Sequence, residues 1–203
     1  MNDVYKQNQN AYDQIVLEFA RRNHANLDGN LLALAQKLVQ HVGRDGHIIE
    51  IGCGTGRDMV FFESQGIIVT GLDLSAGMLA YARQQVRGGL ALMNMCQLGF
   101  RDANFDGAWS CASFLHVPKQ AAPTALQEMQ RVLKPGGILI LSIQEGNTES
   151  WEEAYVAGVK RFFARYQADE MKNMLTNNGF FVREVGSFHD NNRDWLTFVC
   201  ISD

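Results

Sequence analysis

The chain has 203 residues and a formal net charge of −4, with 46% hydrophobic and 20% charged residues. This is the balance of an ordinary soluble globule, long enough for one domain that buries roughly 70% of its unfolded surface. It excludes a membrane span, since no apolar run approaches the ~20 residues required, and it supplies no general attraction for nucleic acid. Cys53, Cys96, Cys111 and Cys200 are widely spaced and form no C-x-x-C pair. Reduced, mostly buried thiols are therefore expected, with no zinc. The start, MNDVYKQNQN, lacks a cationic stretch followed by an apolar one, so the expectation is a cytoplasmic protein without a secretory signal.

In chain order, residues 10 to 21 place Tyr12, Ile15, Val16 and Phe19 on one helical face. Residues 30 to 41 repeat the pattern with Leu31, Leu34, Ala35 and Leu38. A β-branched strand, Ile48 to Ile51, then runs into the glycine-dense loop Gly52, Cys53, Gly54, Thr55, Gly56. Helix is predicted over 56 to 65, strand over 67 to 72, and helix over 76 to 87 behind the N-cap Ser75. A short strand near 90 to 93 precedes a fourth strand, DGAWSCAS, from Asp106. Pro123 suits the first turn of a helix whose stripe is Leu126, Met129, Val132 and Leu133. LKPGG ends it, Pro135 stopping the helix and Gly136 allowing the positive φ of the turn into ILILSI.

The segment with Trp151, Tyr155, Phe162, Phe163 and Tyr166 is expected to be helical. Its cations Lys160, Arg161 and Arg165 would then form a solvated basic helix face, with a site for an anionic aromatic substrate as the alternative. A helix over 168 to 177 and two strands, FFVREV and WLTFVCI, complete the chain. The polar stretch GSFHDNNRD would be the loop that joins these strands as antiparallel neighbours. Alternating β and α up to residue 143 implies an open parallel sheet with right-handed crossovers.

The chemistry concentrates at two strand ends. Glu50 lies two residues before Gly52, the first residue of the glycine loop, and Asp73 closes the run IIVTGLD. Strand, glycine loop, helix, strand and acid form a layout that binds an adenosine-containing ligand, the acid taking the ribose hydroxyls. The spacing is E-x-G-x-G-x-G and not G-x-G-x-x-G; Arg57 or Met59 falls where a dinucleotide loop needs its third glycine. A short-chain dehydrogenase also needs Tyr-x-x-x-Lys, and no tyrosine here has lysine four residues on.

Over about residues 44 to 201 the pattern resembles the class I S-adenosylmethionine-dependent methyltransferases. The resemblance rests on the loop with its two acids, on D-L-S-A-G-M-L-A-Y-A from Asp73, and on the terminal hairpin. It implies an α/β, Rossmann-like three-layer sandwich with a mostly parallel seven-stranded sheet and a C-terminal antiparallel hairpin. It further implies a helical cap over 1–43, a cofactor-binding core over 44–144, and substrate-side helices with the hairpin over 145–203.

The resemblance assigns the cofactor S-adenosyl-L-methionine, leaving S-adenosyl-L-homocysteine, with no metal. Glu50 would face the ammonium group, and Gly52, Cys53, Gly54, Thr55 and Gly56 would wrap the methionine end. Asp73 would hold the ribose, while Leu74 and Met78 pack on adenine. Asn94 replaces the family's usual acid at the adenine amino group, and Met95 and Cys96 would lie at the adenine edge. Ser113, with Phe114, would approach the sulfonium, and Tyr12, with Tyr5, would lid the cofactor. Arg57 and Asp58 would either cap the surface or approach the methionine carboxylate. His116 is the candidate general base, its alternatives being cofactor packing or a structural role. The expected function is methyl transfer to a small-molecule acceptor by a monomer or homodimer. A tRNA-modifying methyltransferase and a non-catalytic cofactor-binding sensor are the alternatives.

Overall fold

Side-chain alternation along the strands generates two cores, one on each face of the central sheet. In the computed structural model, which describes residues 2–23, 27 and 29–203, β1 (His47–Ile51) sends Ile49 and Ile51 to one face and Ile48 to the other. The parallel partners are β2 (Ile68–Asp73), β3 (Gly89–Leu92), β4 (Phe105–Cys111) and β5 (Leu133–Gln144). In β5, Leu139, Leu141 and Ile143 face the first core while Ile138 and Ile140 face the second.

Helices α2 (Gly29–Val42) and α3 (Arg57–Ser64) cover the second core, where Leu38, Phe62 and Trp109 meet. On the opposite face, α5 (Ala122–Val132) and α6 (Ala168–Asn177) bury Leu126, Met129, Met171 and Leu175. Helix α4 (Ala76–Ala82) is shorter than its apolar pattern predicts, because the chain turns off through i+3 bonds at Gln84 and Gln85. Conversely, α1 (Asn2–Arg22) begins well before residue 10.

The sheet order is β3-β2-β1-β4-β5-β9-β8, β8 (Phe180–Asp190) and β9 (Arg193–Ser202) forming an antiparallel hairpin against β5. This is an α/β Rossmann-like fold. Strand order reverses between β1 and β4, and the crevice opened there at the carboxyl ends of the strands is where ligands of such sheets bind.

Two local expectations fail, both toward β-structure. The aromatic segment is not a helix but a ribbon of β6 (Glu149–Glu153) and β7 (Lys160–Ala164). Trp151 lies opposite Phe162, while Glu152 and Glu153 lie opposite Arg161 and Lys160. The aromatic cross-strand pair stabilises the ribbon, and Glu152 makes its ion pair with Arg165 of the strand exit. GSFHDNNRD is likewise not a loop: β8 and β9 continue through it, with only Asn191 and Asn192 in the turn. Their φ values of 51° and 60° are those of a two-residue primed turn, which matches strand twist and which asparagine tolerates.

Candidate active site at the carboxyl edge of the sheet

The glycine loop leaves β1 by bending back onto the end of β2. The backbone N–H groups of Gly52 and Cys53 both donate to the Leu72 carbonyl at 2.8 Å. Gly54 then donates to Asp73 Oδ2 at 2.9 Å, and Ser75 donates to Asp73 Oδ1 at 2.9 Å. Asp73 is thereby held at both oxygens, each keeping a lone pair for a ligand. Burial pushes its pKa up, opposed by the N–H groups of Ser75, Gly54 and Leu74.

Gly54 has φ +52°, and a side chain there would extend toward the Phe19 ring. Gly52 has φ +77°, and a Cβ would collide with that of Ser113 at 2.3 Å. Ser113 fills this space because its hydroxyl donates to the Ile51 carbonyl at 2.5 Å, fastening the exit of β4 beneath the loop.

Glu50 is 4% exposed, and its Oε2 has no hydrogen-bond partner. Burial raises its pKa well above the carboxylate range; Asp58 adds to this, Arg57 opposes it and Asp73 adds further. Asp58 is not a surface cap. It accepts from Trp109 Nε1 at 2.8 Å and from Arg57 Nε at 2.5 Å, tying α3 to β4.

These groups line one cavity of about 620 Å³, within the usual range of small-molecule sites. Of the residues singled out from sequence, Glu50, Gly52, Cys53, Gly54, Thr55, Asp73 and Leu74 line it from the β1 and β2 ends. Asn94, Met95, Ser113, His116, Tyr5 and Tyr12 line the remainder of that side. Gly56, Met78 and Cys96 lie outside the wall. A Cβ at Gly56 would meet Val86 and Ala82 instead, and the Met78 side chain is buried in the core. Cys96 pairs its thiol with the Tyr5 hydroxyl at 3.2 Å. Asn94 Oδ1 already accepts from the Cys96 N–H at 2.9 Å and retains one lone pair.

His116 is enclosed. Its Nδ1 lies 2.6 Å from the Phe162 carbonyl, which can only accept, so Nδ1 carries the proton. Burial lowers the imidazole pKa to about 3, so the ring is neutral and Nε2 accepts from the Tyr12 hydroxyl at 2.6 Å. Both nitrogens are thus engaged. Burial pushes Tyr12 up to about 12.

The opposite wall carries residues that sequence reasoning did not connect with a site. Gln144 ends β5 with its Oε1 unpartnered, Trp195 of β9 has an unpartnered Nε1, and Arg161 of β7 is 5% exposed. The basic helix face expected there does not exist: in a strand, Arg161 turns inward while Lys160 stays outside. Gln144 had one available signal, a polar residue at the carboxyl end of the largely apolar run ILILSI.

The residues fit S-adenosylmethionine. An orphaned buried carboxylate can meet its ammonium, a glycine-rich loop can accommodate its tail, and a doubly anchored aspartate can accept from vicinal hydroxyls. Among the described residues, no group of three or more His, Cys, Asp or Glu side chains could hold a metal, and no helix is long and apolar enough to cross a membrane.

Known proteins share this fold. The family model for the methyltransferase domain matches residues 49–141. An O-methyltransferase of Aspergillus sclerotiorum, resE, is 30% identical over 169 residues, covering 75% of this chain and 61% of that protein. The chain thus spans only about three-fifths of that relative's length. Magnesium protoporphyrin IX methyltransferase from Synechocystis PCC 6803, solved with bound S-adenosylmethionine, superposes with a TM-score of 0.77. That match is at 15% identity and covers 98% of this chain and 97% of the other. The 1,6-didemethyltoxoflavin-N1-methyltransferase of Burkholderia thailandensis, solved with S-adenosylhomocysteine, gives 0.69 at 22% identity, covering 84% and 76%. Residues 49–141 match the methyltransferase-domain family, and the loop, the paired acids and the sheet order are similar to those of class I S-adenosylmethionine-dependent methyltransferases.

Proposed function

We propose that the protein transfers a methyl group from S-adenosylmethionine to a small-molecule acceptor. The observation that carries this reading is the pairing, in one cavity, of the anchored Asp73 with the unpartnered Glu50. In this reading Glu50 faces the ammonium group, and the main chain of Gly52 to Thr55 cradles the methionine end. Asp73 takes the ribose hydroxyls, Leu74, Asn94 and Met95 border the adenine, and Tyr12 closes over the site.

When bound, the cofactor supplies a methyl group made electrophilic by its sulfonium. The contribution of the chain is alignment and exclusion of water, which can supply roughly 7–11 kcal/mol of the barrier. Because His116 is neutral with both nitrogens engaged, its proposed role is to position Tyr12 and β7, not to take a proton directly from the acceptor. An acceptor that is nucleophilic without deprotonation suits such a site.

The test is incubation with methyl-labelled cofactor and fractionated small-molecule extract, following label into low-mass products. Wild type should label at least one fraction. Asp73→Ala should weaken S-adenosylhomocysteine about 10²-fold by calorimetry, roughly 3 kcal/mol, and labelling should fall with it. Unchanged affinity in that variant would remove Asp73 from the cofactor site.

A further inference from the structure

The partly buried arginines Arg57, Arg165 and Arg131 have carboxylate partners: Asp58, Glu152, and Glu128 with Asp102. Arg161 does not. Its Nη1 donates to the Tyr12 hydroxyl at 3.3 Å, the Tyr155 hydroxyl is a further hydrogen-bond partner, and its Nε has none. No described carboxylate comes within ion-pair distance; the groups that act on its charge are the phenols of Tyr12 and Tyr155. The guanidinium lies 4.7 Å from the ring centroid of Tyr155, 5.2 Å from that of Phe163 and 5.5 Å from that of Tyr12. A charge buried among aromatic faces without a counter-ion is costly, and a ligand anion removes that cost.

Position separates this group from Glu50 and Asp73. Glu50 and Asp73 end β1 and β2, whereas Arg161 shares the wall built by β5, β7 and β9 with Gln144 and Trp195. Each of those two also presents an unpartnered buried polar atom. The β1 and β2 ends contribute Glu50 and Asp73. The β5, β7 and β9 side combines a guanidinium, an amide and an indole N–H with aromatic side chains.

We propose that Arg161 anchors the acidic group of the methyl acceptor, which is a small carboxylate with a flat, apolar body. The inference rests on the methyl-transfer reading for the word acceptor, but the anion site itself can be tested without turnover. Gln144 and Trp195 lie within the same wall and complete the polar recognition, while Tyr12, Tyr155 and Phe163 contact the body. Guanidinium and carboxylate match in charge and planar geometry, so lysine at this position should be a partial substitute only.

The experiment compares benzoate, phenylacetate and cinnamate with their primary amides by thermal shift and calorimetry, on wild type, Arg161→Lys and Arg161→Met. At least one acid should stabilise wild type while its amide does not. Arg161→Lys should weaken that binding about 10-fold, and Arg161→Met should abolish it. Arg161→Met should also melt higher than wild type without ligand, because the uncompensated charge is gone; a structural cation would give the opposite shift. S-adenosylhomocysteine affinity should stay within about twofold of wild type in both variants.

The proposal is overturned if acids and amides behave alike on wild type, or if Arg161→Met retains acid binding. It is also overturned if that variant loses S-adenosylhomocysteine as Asp73→Ala does, which would make the anion the carboxylate of the cofactor. Should wild type bind an acid but not S-adenosylhomocysteine, the methyl-transfer reading fails and the anion site stands.

Discussion

Glu50 has no partner for Oε2 and lies near Asp58 and Asp73, so the ligand-free fold favours its protonated form. The unfolded chain ionises this group at its ordinary value. The group therefore lowers stability progressively as pH rises above the ordinary carboxylate range toward its raised folded value. Glu50→Gln should melt with wild type near pH 4 and above it at pH 8, each ~1 kcal/mol of relief giving about 2–4 °C. The same variant should bind S-adenosylhomocysteine on the order of 10-fold more weakly, since the charge opposite the ammonium is lost. A lower melting temperature at pH 8 would mean that Glu50 has a structural partner.

Helix α1 closes one side of the cavity and is fastened by few polar contacts. Asp13 Oδ1 accepts from the Ser75 hydroxyl at 2.5 Å and from the Gly77 N–H at 2.9 Å, at the start of α4. Further along, Asn8 Oδ1 accepts from the Phe162 N–H at 2.8 Å, connecting α1 to β7. Asp13→Ala should cost about 1–2 kcal/mol. Hydrogen exchange should locate the effect in α1, with faster exchange there, little change in β4 and β5, and weaker S-adenosylhomocysteine binding. Unchanged exchange in α1 would show that its apolar face, with Ala11, Ile15 and Ala20 buried, holds it without the clasp. The β6–β7 ribbon belongs to the same apparatus, because it supplies both the Phe162 carbonyl that fixes His116 and the buried Arg161.

For the whole molecule, the acid limb of stability carries the signature of His116. Burial holds its folded pKa at about 3, against 6.5 for an ordinary histidine. Between these values the unfolded chain binds the proton and the folded chain does not. The contribution is therefore complete above pH 6.5 and is lost progressively as pH falls toward 3. In His116→Asn the slope should be shallower, so the melting-temperature gap to wild type narrows as pH drops from 7 toward 4. A gap constant with pH would show that the imidazole is protonated in the fold, or that it titrates normally.

The order of elements from β1 to β5, the loop and its two acids were legible because they are local. A β-branched run, glycines with positive φ and a strand-terminal acid leave signatures within a few residues. The aromatic ribbon was misread because Trp151, Phe162 and Phe163 pack with either period, and the pairing of Glu152 with Arg161 is a contact between strands. For the same reason Gln144, Trp195 and Arg161 were not assembled into one wall, although each is an ordinary residue in its own segment. The sequence by itself determined the two-faced sheet and the cofactor class, since alternation and loop chemistry are written in neighbouring residues. Only the tertiary structure decided that His116 is neutral and engaged, that Gly56 and Met78 stand outside the cavity, and that a guanidinium is buried without a counter-ion. Burial and the absence of a partner are properties of what surrounds a side chain, and that surrounding comes from segments distant along the chain.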